Sequence, residues 1–429
     1  MVKRILLVVT ALALGAAFAI SAAPRTLYHY HWTEPVYDGI NANAVRMFER
    51  NNPGVEVKMV LLPKEDLVNT IRAVLAANES IDSFALTNGE STEFLSTGQM
   101  VPLVPSAFGK ASVDDVVRMW TPGAIPACGG SWDGQYYGVP FELSNYVAWI
   151  NIADMKEAGL NPAKDKPKTW DQFVEVAKKL VKTRGGTRVR NGFMCSSSQG
   201  IFSFLILTAM MEQLGLDWGS EKGLIASMDD TDALAMALKT YTDLVTTSKV
   251  WDPSLADNDR EGFGNHKSSM FLTGGAWYWG ALDTYSVKRQ DVEPFPYPRF
   301  AGGKDIGGVG YGCCLYVSKL ARDPTLAFRF LDAMTSQPNE FIKQGYHQPR
   351  LTLSSGKPAL DPALARKYIP YYDQVFKNEF ARTAVWLSST KGDQVYSAVW
   401  DAVHKVIHEG SSVDDAVWDL QSDIKGIYQ

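Results

Sequence analysis

The chain has 429 residues, of which 46% are hydrophobic and 21% are charged, and its formal net charge is −5. This composition is typical of a soluble globular protein and argues against a disordered chain or a membrane protein. The acidic balance and the absence of a basic run argue against nucleic acid and anionic membranes as partners. The length is enough for two domains of ordinary size.

The first 23 residues have the pattern of a cleavable secretory signal peptide. Lys3 and Arg4 precede a charge-free, largely apolar run from Ile5 to Ile20, and small residues follow at 21–23. This order of a charged start, an apolar stretch and a small-residue zone is typical of such peptides. The apolar run is short for a membrane span, so an amino-terminal anchor is the weaker alternative. Cleavage after Ala19 and cleavage within 21–23 both fit the pattern.

The four cysteines are Cys128, Cys195, Cys313 and Cys314, and none lies near the cleavage zone. The sequence therefore offers no site for a lipoprotein anchor, and we expect a free protein in the periplasm. In that oxidising compartment a disulfide between Cys128 and one of the vicinal pair is one alternative. Four buried free thiols are the other.

The amino-terminal part of the chain predicts alternating strands and helices. The predicted elements are a strand at 26–32, a helix with an apolar face from Val36 to Phe48, a strand at 55–61, a helix at 67–77 and a strand at 81–86. Such an alternation indicates a mainly parallel sheet, and ligands bind outside the carboxyl ends of its strands. Those ends carry the polar and aromatic residues at 32–34 and 87–90.

Several helices are predicted from residue 169 onward, and helices are predicted to dominate the carboxy-terminal third. Thr169 with Gln172 has the pattern of a capping box, which opens a helix that ends before Gly185. The other predicted helices are a buried one at 201–211, one beginning at Thr231, one from Asp323 through Met334, and two near 394–407 and 413–424.

Aromatic residues are numerous, with twelve Trp and eighteen Tyr. Several of them stand beside Gly, Pro and polar residues rather than within an apolar periodicity: Trp32, the 277–279 cluster, Tyr311 and Trp386. Aromatic rings stack on the C–H faces of pyranose rings, while nearby carboxylates and amides bind the hydroxyls. Most single rings are expected in the core, whereas the cluster after Gly274-Gly275 is expected to face a cleft.

Four motifs in chain order carry a family resemblance. They are DGQYYGVPF at 133–141, residues 151–159 followed by PKTWDQF at 167–173, HKSSM at 266–270 with GGAW at 274–277, and residues 307–318 followed by AFRFL at 327–331. On these motifs the chain resembles the extracellular solute-binding proteins of ABC sugar importers, the broad family that includes maltose-binding protein. The resemblance runs from about Leu27 to the carboxy terminus. His266 and Ile150 depart from the family pattern, which has Gly and usually Tyr there.

The resemblance implies a periplasmic-binding-protein-like α/β fold, in which two lobes joined by a three-crossing hinge close around a ligand. The implied lobes are 24–141 plus 313–382 and 142–312 plus 383–429. The implied crossings are Val139–Ser144, Gly308–Cys314 and Arg382–Lys391. Ligand binding in such a cleft is a population shift toward the closed state, which the importer would then recognise.

The resemblance also implies a set of ligand-binding residues. They are Trp32, Glu34, Asn88, Glu90, Glu142, Asn145, Gln199, Trp277, Trp279, Tyr311 and Arg350. Trp277 is the preferred stacking platform and Trp279 its rival, while Arg350 is expected to make a bidentate contact. For each polar residue, a helix cap or a surface position is the alternative. The implied partners are a small carbohydrate and the transmembrane subunits of an ABC importer. A monomer without cofactor or bound metal is expected.

Motifs of catalysis and of metal binding are weak in this sequence. It contains neither a G-x-S-x-G elbow nor an H-E-x-x-H motif. His404 and His408 stand four apart on a predicted helix, but a surface pair is the simpler interpretation. The adjacent tyrosines at 371–372 resemble those of ferric-iron binders, and a core or surface pair is preferred.

Two further features leave one alternative function. The glycine-rich run at 308–312 precedes a predicted strand rather than a helix, so it lacks the helix dipole of a nucleotide loop. Asp133, Glu142 and other carboxylates could form a catalytic pair, although the sequence gives no separation between them. The alternative is therefore a secreted carbohydrate-active enzyme that uses paired carboxylates.

Overall fold

The computed structural model describes residues 25–33, 35–196, 200–346 and 348–429. The predicted signal peptide at 1–23 and the predicted site residues Glu34 and Gln199 lie outside the described residues. Within the described ranges, no helix is both long enough and apolar enough to cross a membrane.

The described residues form strands and helices along the whole chain. The strands are β1 Arg25–Trp32, β2 Val55–Leu62, β3 Ser83–Thr87, β4 Ser131–Trp132, β5 Gln135–Tyr136, β6 Val139–Asn145, β7 Val147–Asn151, β8 Lys182–Arg184, β9 Thr187–Arg190, β10 Met270–Gly274, β11 Val292–Phe295 and β12 Gly310–Val317. The α-helices are α1 Pro35–Asn51, α2 Lys64–Ala76, α3 Asn88–Ser96, α4 Val113–Val117, α5 Ala124–Ala127, α6 Ile152–Glu157, α7 Trp170–Leu180, α8 Gly200–Gln213, α9 Glu221–Ser227, α10 Thr231–Thr242, α11 Asp259–Gly264, α12 Tyr278–Ala281, α13 Pro324–Met334, α14 Pro338–Lys343, α15 Pro362–Tyr368, α16 Lys377–Phe380, α17 Gly392–His404 and α18 Val413–Ile427.

The first sheet has the strand order β2-β1-β3-β12-β6. β1 runs parallel to β2 and β3, which confirms the predicted alternation of strands and helices. Four of the five strands of this sheet point the same way, as a mainly parallel sheet requires, and the exception is β12, which runs antiparallel to both β3 and β6. β12 enters this sheet from the other side of the molecule, without the strand–helix–strand unit that makes neighbours parallel. The carboxyl ends of β1, β3 and β6 therefore share one edge with the beginning of β12.

The second sheet has the order β10-β7-β11, and both outer strands are antiparallel to β7. The chain passes from one sheet to the other at Tyr146, between the end of β6 and the start of β7. It returns between β11 and β12, and leaves again after α16. These three connections lie side by side: Tyr146 N–H donates to Val309 O at 3.0 Å, and Gly310 N–H donates to Ala384 O at 2.9 Å. Together they join the two α/β halves of the molecule.

Each sheet carries its own hydrophobic core. One core packs β1, β3, β6 and β12 against α1, α2 and α13, and the other surrounds α8, α10, α17 and α18. A third cluster packs β7 and β10 against residues 369–376, including Ile369 and Phe376. Residues 369–376 therefore contact the second sheet, although the implied boundary assigns them to the first lobe. The lobe boundaries stay a prediction, and this packing would place residues 369–376 with the second lobe.

The capping box predicted at the start of α7 is only half formed. The Thr169 side chain accepts a hydrogen bond from the Gln172 backbone N–H at 3.3 Å. The Gln172 side chain accepts from the Lys168 backbone N–H at 2.9 Å, rather than from that of Thr169. A complete capping box occurs instead at α3, formed by Thr87 and Glu90. The same sequence pattern thus has different outcomes, since the second partner depends on how the chain enters the helix.

All four cysteines are buried and free in the structure. The Cys128 thiol donates to the backbone oxygen of Glu142 at 3.1 Å. Burial raises the pKa of the Cys313 and Cys314 thiols well above the ordinary range. Protonated thiols in an apolar setting are unreactive, so the free-thiol alternative describes this structure.

Candidate functional site

Five side chains gather where the two halves meet, and we call them the cleft cluster: Tyr146, Phe202, Arg260, Trp277 and Tyr311. The Tyr146 and Tyr311 rings stack with centroids 4.7 Å apart. The Trp277 indole N–H donates to the Tyr311 hydroxyl. The Arg260 guanidinium carbon lies 4.4 Å from the Phe202 ring centroid and 5.2 Å from that of Trp277. Trp277, Tyr311 and Arg260 are partly exposed, whereas Tyr146 and Phe202 are buried, so the cluster offers part of an aromatic surface with a cation beside it.

Arg260 is held in place by hydrogen bonds to the Thr273 backbone and the Tyr146 side chain rather than by an ion pair. Its Nε donates to the backbone oxygen of Thr273 at 3.0 Å. The adjacent Asp259 carboxylate accepts from the Ser196 hydroxyl at 2.9 Å and from the Thr273 hydroxyl. Burial disfavours the charge on Arg260, but Tyr146 and Asp259 outweigh it and keep its pKa above the usual value. The Tyr146 side chain accepts one hydrogen bond from the guanidinium, and no carboxylate among the described residues forms an ion pair with it, so part of its set of five N–H donors is left for a ligand.

The tyrosines of the cleft cluster belong to the connections between the sheets. Tyr146 lies between β6 and β7, and Tyr311 is the second residue of β12. The Tyr311 hydroxyl is hydrogen-bonded to the Ser144 side chain. Burial raises the pKa of Tyr311 well above its ordinary range, so its hydroxyl stays neutral and can both donate and accept. A ligand on this surface would thus touch the segments that connect the two sheets.

A second group of predicted residues lies at the edge of the first sheet. Trp32 ends β1, and its ring centroid is 4.8 Å from the Lys64 ammonium. Lys64 donates to both oxygens of Glu90, at 2.6 and 2.7 Å. Glu90 also accepts from the Thr87 backbone N–H at 2.9 Å. The structure brings Trp32 and Glu90 together, and it gives the Glu90 carboxylate the capping alternative that the sequence left open.

Asn88 and Glu142 lie on the same edge of the sheet and differ in whether their side-chain oxygens are hydrogen-bonded within the fold. The Asn88 side chain is 8% exposed, and its Oδ1 has no hydrogen-bond partner among the described residues. Glu142, on β6, is buried and accepts a hydrogen bond from the Tyr37 hydroxyl. Burial, followed by the Glu142 charge, raises the pKa of Tyr37 well above its ordinary range. Asn88 therefore keeps an unused acceptor, while one Glu142 oxygen is engaged within the fold.

Trp279 and Arg350 do not reach the cleft cluster. Trp279 is buried against Trp149, with ring centroids 5.0 Å apart. Arg350 is fully buried, and its guanidinium donates to Asp332 and to the Thr335 hydroxyl, both at 2.6 Å. The Arg350 guanidinium, expected to make a bidentate contact with the ligand, is thus already hydrogen-bonded inside the first core. Asn145 ends β6 and is buried beside a separate cavity.

The weak metal motifs show packing roles in the structure. His404 and His408 have ring centroids 4.6 Å apart, and His404 lies 3.3 Å from the Glu409 carboxylate. Tyr371 stacks on Trp279 with centroids 6.1 Å apart. Across the described ranges, no group of three or more His, Cys, Asp or Glu side chains could hold a metal ion.

Sequence reasoning missed Arg260, Phe202, Tyr146 and Lys64. Arg260 is the second residue of α11, and this helix of six residues is too short to show a periodicity. Phe202 lies in the apolar run of α8, where it reads as an ordinary core residue. The polar stretch Asn258-Asp259-Arg260, shortly before the HKSSM motif at 266–270, was the available signal.

Comparison with known proteins gives the family and the fold. The family model described as bacterial extracellular solute-binding protein matches residues 31–340. A lactose-binding protein of Rhizobium radiobacter is 22% identical over 214 residues, which is 49% of this chain and 48% of the relative. An arabinooligosaccharide-binding protein of Bacillus subtilis is 25% identical over 207 residues, which is 47% of this chain and 45% of the relative. The match spans about half the length of these curated relatives.

Solved structures match 94–95% of the chain. An ABC substrate-binding protein of Listeria monocytogenes in complex with cycloalternan has a TM-score of 0.75 at 18% identity, covering 94% of this chain and 98% of that one. Maltose-bound MalE3 of T. maritima has a TM-score of 0.74 at 17% identity, covering 94% and 99%. UgpB of Mycobacterium tuberculosis with glycerophosphocholine has a TM-score of 0.75 at 17% identity, covering 95% and 98%. At these identities the likeness shows the fold.

Proposed function

The chain belongs to the bacterial extracellular solute-binding proteins, and we propose that it captures a carbohydrate at the cleft cluster and delivers it to an ABC importer. The observation that carries this proposal is the partly exposed Trp277 ring, hydrogen-bonded to Tyr311 and flanked by the Arg260 guanidinium. An aromatic face stacks on the C–H face of a sugar ring, and fixed donors beside it orient the hydroxyls.

The cleft cluster supplies both parts of sugar recognition. Trp277 offers a ring face whose orientation is fixed by its N–H bond to Tyr311. Arg260 offers N–H donors in a planar fork, and its Nε is already bound to Thr273, so little side-chain freedom is lost on binding. The Tyr311 hydroxyl accepts from Trp277 and is hydrogen-bonded to Ser144, so its main part is to hold the Trp277 ring in place. Asn88, whose Oδ1 has no hydrogen-bond partner within the described part of the chain, is a further polar group on the edge of the first sheet.

The position of the cleft cluster ties binding to lobe closure. Tyr146 and Tyr311 lie in connections that are hydrogen-bonded side by side, while Phe202 and Arg260 belong to helices of the second half. A ligand that contacts both halves only in the closed state favours that state by its extra contacts. The importer's membrane subunits would then receive the closed form. Export by the signal peptide at 1–23 would place this cycle in the periplasm, with the protein acting as a monomer.

Binding without catalysis is part of the proposal. A carboxylate pair would need two free oxygens facing a sugar bond. Glu142 is buried and accepts from Tyr37, while Asp133 sits at an exposed turn between β4 and β5. The curated relatives are described as a lactose-binding and an arabinooligosaccharide-binding protein, which supports a binding role and a sugar ligand.

A thermal-shift screen of the mature chain tests the proposal. Disaccharides and longer oligosaccharides should raise the melting temperature, since ligand binding stabilises the native state, and the sugar should be recovered unchanged. Cleavage products would contradict a binding-only role. Stabilisation by glycerophosphodiesters alone would keep the solute-binding role and contradict a carbohydrate ligand.

A matched pair of tryptophan variants locates the site. Trp277→Ala should weaken oligosaccharide binding by about a hundredfold, because the stacking platform is lost. Trp418→Ala is the control, since Trp418 is 68% exposed on α18 and lies outside the cleft cluster. Equal affinity in the two variants would remove Trp277 from the site.

A further inference from the structure

The third connection between the halves, residues 381–391, is hydrogen-bonded to the second half. The backbone N–H of Val385 donates to the Glu212 carboxylate on α8 at 3.1 Å. The backbone N–H of Ser388 donates to the backbone oxygen of Gly219, just before α9, at 3.2 Å. These bonds fix the middle of the connection to the second half, so the two form one body.

Trp386 belongs to the same body. Its indole N–H donates to the Tyr396 hydroxyl on α17 at 2.9 Å. The Tyr396 ring packs in the second core, with its centroid 4.6 Å from that of Phe204 on α8. Because its bonding partner is held by the core, the partly exposed Trp386 ring has a fixed position on the second half.

Helix α3 of the first half meets this ring at Gly89. A Cβ atom at Gly89 would stand 2.8 Å from the Trp386 Nε1 and 3.4 Å from the Tyr396 hydroxyl oxygen. Non-bonded carbon atoms are most favourable at about 3.5 to 4.0 Å from their neighbours. A side chain at residue 89 would therefore require α3 and the Trp386 ring to move apart.

This close approach, rather than the backbone, accounts for the glycine. Gly89 is the second residue of α3, and its φ lies outside the left-handed region. Glycine is among the least favourable residues in a helix, so the backbone gives no reason for it here. Gly39, inside α1, is a contrasting case, because no described atom lies within 4 Å of its Cβ position. At Gly89 the space for a side chain is taken by the second half.

A second contact lies one turn further along α3. The Thr92 hydroxyl is 3.3 Å from the Ser388 hydroxyl of the third connection. Residues three apart share a face of a helix, so Gly89 and Thr92 present one face of α3 to the third connection. Thr92 is buried, whereas Ser388 is exposed. We call Gly89, Thr92, Trp386 and Ser388 the α3 contact.

The two halves are not packed against each other throughout this region. A cavity of about 370 Å³ lies beside the α3 contact. Asn88 and Ser131 line it from the first half, while Trp386 and Ser388 line it from the third connection. The α3 contact is therefore local, and the space beside it leaves room for the halves to change their separation.

We propose that the α3 contact sets how closely the two halves approach, and thereby the affinity for ligand at the cleft cluster. The proposal rests on the proposed function, since it describes the control of that same site. A ligand that touches both halves favours the state in which the α3 contact is formed. A larger residue at position 89 disfavours that state, and so weakens binding without a change in the cleft cluster.

Disulfide cross-linking of the mature chain measures the α3 contact directly. Thr92→Cys with Ser388→Cys places two thiols where the hydroxyls stand 3.3 Å apart, and oxidised glutathione should join them, as a non-reducing gel would show. Gly89→Val in this background should slow the cross-link by about tenfold, and Gly89→Ala should slow it less. Gly39→Val is the matched control and should leave the rate unchanged. The four native cysteines are buried, which keeps them out of the exchange.

Binding measurements add a test in which the sign of an effect reverses. Calorimetric titration with the most stabilising oligosaccharide should show about tenfold weaker binding for Gly89→Val. Trp386→Ala alone should weaken binding slightly, because it removes a contact between the halves. In the Gly89→Val background the same Trp386→Ala should strengthen binding, because it makes room for the valine side chain. Loss of stability alone would not reverse the sign.

The outcomes separate this proposal from the proposed function. Equal cross-linking rates or equal affinities with glycine and valine at position 89 would overturn the proposal and leave sugar capture standing. An oligosaccharide that binds the wild type without speeding the cross-link between positions 92 and 388 would do the same. If no oligosaccharide binds the wild type, the proposed function fails. A slower cross-link in Gly89→Val would then still support control of the spacing by the α3 contact, and an unchanged rate would refute both.

Discussion

Two arginines of this protein stand at the same distance from a tryptophan ring and have opposite surroundings. The Arg260 guanidinium lies 5.2 Å from Trp277, and the Arg350 guanidinium lies 5.2 Å from Trp120. Arg350 is fully buried and paired with Asp332, whereas Arg260 is partly exposed with no ion-pair partner among the described residues. The contact with an aromatic ring alone therefore does not separate a structural arginine from a binding one. The unused N–H groups make that distinction.

The largest expected effect is a loss of stability when the buried arginine, Arg350, is replaced. Arg350→Ala would leave Asp332 without its buried partner and remove the bonds to Thr335 and Thr352. Breaking a buried ion pair by removing one partner costs about 3–5 kcal/mol in the free energy of unfolding. Urea denaturation should show this loss, while the folded fraction should bind oligosaccharide with wild-type affinity. A loss of affinity without a loss of stability would assign Arg350 to the ligand instead.

The second effect is on how the stability of the first half, which holds Arg350, depends on pH. His31 on β1 is fully buried, and burial lowers its pKa to about 4, well below its unfolded value near 6.5. The unfolded state therefore binds more protons between pH 6.5 and pH 4, so stability is present above 6.5 and is lost as pH falls through this window. The loss from this group amounts to roughly 3 kcal/mol.

Denaturation curves at pH 7 and pH 4.5 measure that loss. Burial also lowers the pKa of the neighbouring His29, so His29→Phe with His31→Phe is the variant that should flatten the dependence. His404→Phe with His408→Phe is the matched control on α17 and on the π-helix at 405–409 that follows it, because both of these rings are at or near the surface. An equally steep pH dependence in the His29 and His31 variant would show that other groups carry the acid sensitivity.

The smallest expected effect on folding, and the clearest on binding, comes from Arg260. Arg260→Ala removes the bonds to the Thr273 backbone and to the Tyr146 side chain, together worth about 2 kcal/mol of unfolding free energy. The same change should weaken oligosaccharide binding by about 2 kcal/mol, or roughly thirtyfold, because charge-assisted bonds to the ligand are lost. Arg260→Lys keeps the charge without the planar fork and should recover only part of the affinity. Full affinity in Arg260→Ala would end the contrast between the two arginines.

The sequence predicted much of the fold because local patterns report local structure. The strand–helix alternation of β1, α1, β2, α2 and β3 follows from periodicity and turn residues, and the helices α8, α10 and α13 begin close to their predicted starts. The antiparallel entry of β12 was missed because it is decided by a long-range return of the chain. Strand direction in such a return leaves no mark on the strand's own residues.

The candidate site could be predicted only in part, and the two arginines show why. The family motifs pointed to Trp277 and Tyr311, which the structure brings together. The partner of Arg350 is a carboxylate on α13, and the neighbours of Arg260 come from α8 and from the connections between the sheets. Which arginine has spare donors depends on tertiary contacts over many residues of chain, and no local spacing encodes them.

A crystal structure of the mature chain with the most stabilising oligosaccharide tests the central claim most directly. The account predicts a sugar ring stacked on Trp277, with its hydroxyls within hydrogen-bond distance of the Arg260 guanidinium. A ring bound elsewhere in the cleft, with Trp277 and Arg260 making no contact to it, would contradict the account.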